Sequence, residues 1–416
     1  MRYKIIKILG WFYITIGLVC NQWFLGRLLA QDGVIHEVKS RIFIWLFETL
    51  LIIFGILCLK KNKTELIANL NLSLWITVIL APPLGEIMFR MGIAFNVPQL
   101  KTPSLYADSF SDDDYWKFQW DWKEDGGNIM LPLKRLHPLL GWTQADFTKD
   151  NPLGLQEDTK KQMESTTPKI LFYGDSFVKG ASDKEFYIPQ YMNSKMDGLY
   201  VVDLSVGGYG PDQVYLMFKE TYQKVANSTK LILVGILPND DLDRTVLSIR
   251  TSQKPYFVID SMGNLQLKGV PIELDQKKYF RNYSVSIKSY LFSFIKQKLF
   301  EGRSYKSDMK KQINSKLLEL FKVNANHAKS DLLFVIFYGK DSLTKNDWQE
   351  EFLKKKLNQL NLHYIDTKDF LLSYAQKNQL ELSSFYKRGN GHHNNLGNRV
   401  ITDGIVQYLR ANNYIK

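Results

Sequence analysis

Between residues 169 and 409, short apolar runs alternate with segments of helical spacing, and this alternation limits the chain more than any other feature. Lys169 to Tyr173, Leu199 to Leu204, Leu231 to Ile236, Leu332 to Phe337 and Leu362 to Ile365 read as buried strands. Phe186 to Met196, Asp212 to Val225, Glu350 to Leu360 and Leu396 to Leu409 read as the helices between and after them. Strands that alternate with helices build a parallel sheet with helices on both faces, so an α/β fold is expected. A long insertion separates the third and fourth strands. Within it, Tyr256 to Ile259 and Leu265 to Leu267 flank a Gly/Asn turn and read as a hairpin. Ser286 to Phe300 has the spacing of an amphipathic helix, with lysines on its polar side, and is expected to pack on the domain, with a membrane-surface role as the alternative.

The apolar residues that remain are concentrated before residue 95. Ile8 to Leu25 follows Arg2, Lys4 and Lys7, and Ile42 to Leu59 is about as long as a membrane span requires. Leu66 to Leu84 is a weaker third candidate, with Asn69, Asn71 and Pro82-Pro83 inside it. Three spans are expected, with Lys60, Lys61 and Lys63 in a cytoplasmic loop and everything after Phe89 outside. Glu48 inside a span is expected to face a neighbouring helix, and Glu86 and Arg90 to form an i, i+4 ion pair at the exit. The expected division is a membrane anchor at 1–92 and an irregular connection at 93–167. An α/β domain follows at 168–416, with its insertion at about 245–310.

A formal charge of +12 raises the question of nucleic acid, but the lysines are scattered and no nucleic-acid motif accompanies them. No nucleic-acid partner is expected. Cys20 and Cys58 both lie in apolar runs, so neither a disulfide framework nor a cysteine metal site serves the polar part. No cofactor and no metal are expected. His392 and His393 are adjacent and diverge on most backbones, and His36, His137, His327 and His363 are isolated.

Four blocks carry chemistry. Gly174-Asp175-Ser176-Phe177 follows the first strand directly, which places a serine where open α/β sheets hold their ligands. Its backbone N–H then lies at a helix start, able to meet a developing negative charge. Asp203 to Gly210 ends the second strand in a glycine-rich turn, where a backbone N–H approaches a reacting oxygen unobstructed. Pro238-Asn239-Asp240 follows the third strand and offers the Asn239 amide to the same oxygen. Asn390 to Gly397, which contains His392 and His393, precedes the last helix and supplies a base. His137 to Trp142 reads as a turn that packs an aromatic ring on the domain.

Together these blocks resemble the SGNH/GDSL hydrolase superfamily over about residues 168 to 412, in its membrane-tethered bacterial form. The resemblance implies a three-layer, flavodoxin-like domain with Ser176 as nucleophile and His392 as base. It implies Gly208 and Asn239 as oxyanion donors, with Asp203 standing at the strand-end asparagine of the family and Pro238 where many members have glycine. His393 remains an alternative base. The family's acid has no charged counterpart here: Asn390 is the candidate orienting residue. In a serine triad, the change of Asp to Asn lowers turnover by about 10⁴.

The expected function is that of an extracytoplasmic serine esterase or O-acyltransferase, anchored in the membrane and acting on ester groups of an envelope glycan or lipid. The alternative is a catalytically weak binding or assembly subunit that works with a membrane-bound acyltransferase. Asn390 and Glu48 favour the alternative.

Overall fold

A computed structural model describes residues 2–29, 35, 38–60, 64–122, 135–299, 307–327, 330–345, 347–389 and 391–415. The chain divides into two compact units, 1–127 with 283–308, and 128–282 with 309–416. These bounds differ from the expected ones. The α/β unit begins some forty residues earlier than 168, and part of its insertion, 283–308, belongs to the N-terminal unit instead.

The N-terminal unit contains α1 (Arg2–Val19), α2 (Gln22–Leu29), α3 (Val38–Leu59) and α4 (Thr64–Ala94). The first apolar run is therefore not one helix. It breaks at Cys20 and Asn21, where the Asn21 side chain accepts hydrogen bonds from the N–H groups of Trp23 and Phe24 at 3.1 and 3.0 Å. Asparagine favours such a cap because it satisfies donors that the first turn leaves unpaired. α1 and α3 pack closely at glycines: a Cβ on Gly55 would lie 2.7 Å from the Gly10 carbonyl oxygen, so only glycine fits. α4 passes through Pro82 and Pro83 and ends ten residues beyond the expected Leu84. α3 and α4 are long and apolar enough to cross a membrane. Glu48 lines a cavity of about 320 Å³ together with Arg41, Trp45, Gln22 and Trp23.

The segment 93–167 is more ordered than its sequence suggested. It holds the helices Asp113–Trp122 and Glu157–Glu164 and a short antiparallel pair, Leu136–His137 with Gly141–Trp142. The second of these helices lies in the polar end of that segment and buries Thr159 and Met163.

In the second unit a five-stranded parallel sheet forms from β1 (Lys169–Tyr173), β2 (Tyr200–Asp203), β3 (Thr229–Ile236), β4 (Asp331–Ile336) and β5 (His363–Asp366). Its order is β5-β4-β3-β1-β2. The chain moves one way from β1 to β2, then back across β1 to β3. Right-handed crossovers therefore put helices on both faces. The fold is a three-layer α/β arrangement of flavodoxin-like order, whose ligand crevice lies at the carboxyl edge between β1 and β3. Every residue of β1 is buried, as are Leu231 to Ile236 of β3, which matches their unbroken apolar runs.

The helix expected over Phe186 to Met196 is shorter, Ile188–Asn193: Tyr187, with ψ near 134°, lies outside the helical region, and Pro189 stands in the first turn. The hairpin Tyr256–Ile259 with Leu265–Lys268 forms as expected. Ser307–His327 and Thr367–Asn378 are helices that the sequence reading did not assign.

Candidate active site

Three loops leave the carboxyl edge of the sheet side by side. Gly174, just after β1, has φ near +153°, and a Cβ there would lie 3.1 Å from the Gly235 carbonyl oxygen of β3. Only glycine lets the strand end so close to its neighbour. Asp175 then caps a short 3₁₀ turn, Ser176–Val178, by accepting from the Phe177 N–H at 2.8 Å. This cap sets Ser176 at the first position of the turn, half-buried at the crevice.

Ser176 Oγ lies 2.8 Å from His392 Nε2 and 3.2 Å from Asp175 Oδ2. The His392 ring stacks on Phe177, centroids 4.8 Å apart at 28°. The loop that carries His392 is pinned on both sides. Lys387 N–H donates to the His392 carbonyl at 2.9 Å, and Asn394 N–H to the Phe385 carbonyl at 2.9 Å. Asn394 caps the final helix, Asn395–Ala411, through the Gly397 N–H. Asn398 then ties that helix to the serine loop, donating to the carbonyls of Lys179 at 2.7 Å and Phe186 at 3.0 Å. The polar side chains of one helix start thus fix the distance between serine and histidine.

His393, the alternative base, is turned away from the crevice. It is fully buried, with its ring 5.2 Å from Phe177 and 5.0 Å from Tyr386. Burial pulls its pKa down to about 3; the Tyr338 carbonyl acts in the other direction, without an ordinary hydrogen bond to either ring nitrogen. A ring that burial keeps from taking up a proton is a poor base for Ser176. Asn390 lies outside the described residues.

The loop after β2 extends the ladder beside the serine: Val206 N–H donates to the Gly174 carbonyl at 3.0 Å. A Cβ on Gly207 would lie 3.7 Å from Ser176 Cβ. Gly208 has φ near +83° and sits against Arg250 and Trp142, whose atoms would be 3.4 and 3.5 Å from a Cβ there. Among the described residues, neither the Ser176 nor the Gly208 backbone N–H has a hydrogen-bond acceptor. Asn239 is the second residue of the helix Pro238–Arg244 after β3, and its side-chain amide donates to Ser342 Oγ at 2.6 Å. That bond uses one of its two N–H donors and leaves the second.

The His137-to-Trp142 turn, expected to pack an aromatic ring on the domain, does so at the site. Trp142 Nε1 donates to the Gly207 carbonyl at 3.0 Å, and Tyr209 Oη donates to the Trp142 carbonyl, so the His137-to-Trp142 turn packs on the glycine loop. His137 itself is structural, its Nδ1 accepting from the N–H groups of Leu139 and Leu140.

Beneath the serine lies Arg244, almost fully buried. It donates to Asp175 Oδ2 at 3.3 Å, to Asp241 Oδ1 at 2.8 Å, to the Tyr209 carbonyl at 3.0 Å and to Asp240. Asp241 in turn accepts from the Leu237 N–H at 2.8 Å. One guanidinium therefore joins the loops after β1, β2 and β3. Burial outweighs Arg244 at Asp241 and, with Asp175 nearby, raises its carboxyl well above the usual range. Burial, then the Arg244 charge, lowers Arg250 to about 10, so it stays cationic at neutral pH. The described residues contain no cluster of metal-ligating side chains.

These features define a class: a three-layer α/β protein with a serine–histidine pair at the switch point of its sheet. No family model and no curated protein matches the sequence. Among solved structures, the chain is similar to a two-domain esterase active on acetylated mannans (10% identity, TM-score 0.35, 61% of this chain and 52% of that one). It is also similar to a lipolytic protein of the G-D-S-L family from Veillonella parvula (12%, TM-score 0.31, 57% and 96%). A third is an acetyl xylan esterase (14%, TM-score 0.35, 58% and 99%). The chain spans about half the length of the first of these.

Proposed function

We propose that this chain is a membrane-anchored serine esterase or O-acyltransferase of the SGNH/GDSL type, acting outside the membrane on ester groups of an envelope glycan or lipid. The observation that carries the reading is the 2.8 Å contact between Ser176 Oγ and His392 Nε2 at the sheet's carboxyl edge. A hydroxyl is a weak nucleophile until a base takes its proton, and hydrogen-bond reach to an imidazole is what that transfer needs.

In the proposed reaction, His392 Nε2 accepts the Ser176 proton as Oγ attacks the ester carbonyl carbon. Negative charge develops on the carbonyl oxygen. The unpaired N–H groups of Ser176 and Gly208 receive it, with the second N–H of Asn239 as third donor. The intermediate collapses, the ester C–O bond breaks, and His392 returns its proton to the departing alcohol. Water, or an acceptor hydroxyl, repeats the sequence and frees Ser176. Donors held rigid before the reaction need no reorganisation as charge appears.

Support for the anchor comes from the length and apolarity of α3 and α4. Lys60, Lys61 and Lys63 before α4 support an outside location for the catalytic unit, and an ester of the envelope is what an anchored enzyme on that side would meet.

The test is hydrolysis of acetyl esters by the full chain in detergent, beside Ser176→Ala, His392→Ala and Asn390→Asp. The reading expects activity that both alanine variants lose and that Asn390→Asp raises, since a carboxylate there would hold the imidazole in its basic tautomer. A well-folded chain inert in every form would instead favour the binding or assembly subunit.

A further inference from the structure

The helix Tyr290–Leu299 returns from the catalytic half of the sequence to the N-terminal unit and packs on α4. α4 is free of charge from Leu66 to Gly85, a stretch of about 20 residues or 30 Å, which matches the hydrocarbon thickness of a bilayer. Glu86 is the first charge beyond it, and its carboxylate is committed to the start of the helix. It accepts from Ser289 Oγ at 2.8 Å and from the N–H groups of Tyr290 and Leu291 at 3.3 and 3.0 Å. Arg90 holds the same carboxylate at 2.7 Å and donates to the Lys288 carbonyl at 2.9 Å.

Close packing sets the level. A Cβ on Gly85 would lie 2.9 Å from a Leu291 methyl, and the Phe294 ring is 5.2 Å from that of Phe89. Just before the helix, Asp114 accepts from the N–H groups of Ser286 and Ile287 at 2.9 and 2.8 Å. The helix therefore starts where the charge-free stretch of α4 ends, and it is held there from both sides.

Its other face is uncovered. Phe292 is 56% exposed and Ile295 is 40% exposed, one turn apart, while Lys288 and Lys298 are exposed cations near its two ends. The exposed apolar surface continues onto α4 through Leu84, Met88 and Met91. Leu291 to Ile295 climbs about 6 Å, no more than the depth of one headgroup layer.

We propose that Tyr290–Leu299 is a lipid-surface element: Phe292 and Ile295 enter the outer leaflet at the headgroup level of an anionic bilayer, and Lys288 and Lys298 meet its phosphates. The charge complements that surface and the apolar edge is continuous with a lipid-facing helix. The proposal rests on the reading of α4 as a membrane span.

The experiment places single spin labels in the full chain, made cysteine-free by Cys20→Ala and Cys58→Ala, in vesicles of phosphatidylcholine and phosphatidylglycerol. Labels at Phe292→Cys and Ile295→Cys are compared with Leu70→Cys on α4 and with Met262→Cys at the 81%-exposed hairpin tip, using oxygen and a water-soluble nickel chelate as relaxants. Phe292 and Ile295 are expected to resemble Leu70, open to oxygen and shielded from nickel, with Met262 the reverse. Replacing the phosphatidylglycerol by phosphatidylcholine is expected to make both shallower. If Phe292 resembles Met262, or is shielded from both relaxants as a protein contact would be, while Leu70 is immersed, the proposal fails and the anchor stands. If Leu70 itself reports water, the anchor fails.

Discussion

Arg244 and Ser176 meet at one oxygen: Asp175 Oδ2 accepts from Arg244 Nη1 at 3.3 Å and from Ser176 Oγ at 3.2 Å. The guanidinium does not face the crevice, yet it touches the turn of the nucleophile, the glycine loop and the helix of Asn239. Arg244 is a positioning residue in this account. Nη1 alone reaches all three loops, and the second prong of the planar fork, Nη2, adds Asp240.

Arg244→Lys keeps the charge and loses the fork. A misplacement of about 1 Å among reacting groups can cost about 10²-fold in rate, so ester turnover is expected to fall by about that factor with KM changed much less. Arg244→Met also leaves Asp175 and Asp241 without their cation, and about 3–5 kcal/mol of stability is expected to go with it. Turnover, KM and thermal melting of each variant separate the two effects. Equal turnover in Arg244→Lys and the parent chain would contradict the role.

Lys254 and Asp212 form a pair with both side chains fully buried, and the ammonium also donates to the carbonyls of Arg244 at 3.2 Å and Leu247 at 3.1 Å. Lys254→Met strands a carboxylate in the core and should cost about 3–5 kcal/mol. Adding Asp212→Leu should recover much of the loss, because the uncompensated charge is then gone. Melting curves of the two variants test the ordering.

His393 gives the fold a sensitivity to acid. Its folded pKa is about 3 against about 6.5 when unfolded, so the unfolded chain binds the extra proton and stability falls as pH drops below about 6.5. From this residue, the loss between pH 6.5 and pH 5 is about 2 kcal/mol. It deepens until the folded pKa is reached. In His393→Gln that slope should disappear, as read from denaturant midpoints at pH 7 and pH 5.

Gly208 adopts a conformation that side chains resist, and a Cβ there would crowd Arg250 and Trp142. Gly208→Ala should cost about 1–2 kcal/mol in backbone strain. It should lower turnover more, by about 10²-fold if the N–H shifts by about 1 Å. Turnover and melting temperature measured together test whether the loop serves the reaction or only the fold.

The strands were legible because each is a short apolar run, and Ser176 and His392 because each stands between a strand or turn and a helix. Ser307–His327 was not. Its Ile313, Leu317 and Phe321 recur every fourth residue, but Lys310 and Asn314 are buried with them and break the apolar stripe. Those polar residues are matched by distant partners, Asp243 and Thr245, that local spacing does not reveal. Thr367–Asn378 follows β5 directly, with Asp366 serving as both strand end and helix cap, so no turn residue marks the change. Trp142 joins the domain through a side-chain bond to the Gly207 carbonyl and Gln144 through two, to the Asp203 and Ser205 carbonyls, and such bonds have no period. Arg244 carries no local signal in the sequence, and only the fold brings three carboxylates around it.

The central claim is that Ser176, activated by His392, forms an acyl enzyme. Incubation of the full chain with a fluorophosphonate, followed by peptide mass mapping, tests it most directly. The account predicts one adduct on Ser176, absent from Ser176→Ala, strongly reduced in His392→Ala and kept in a folded His393→Gln. A folded chain that stays unlabelled, or that is labelled equally well without His392, would contradict it.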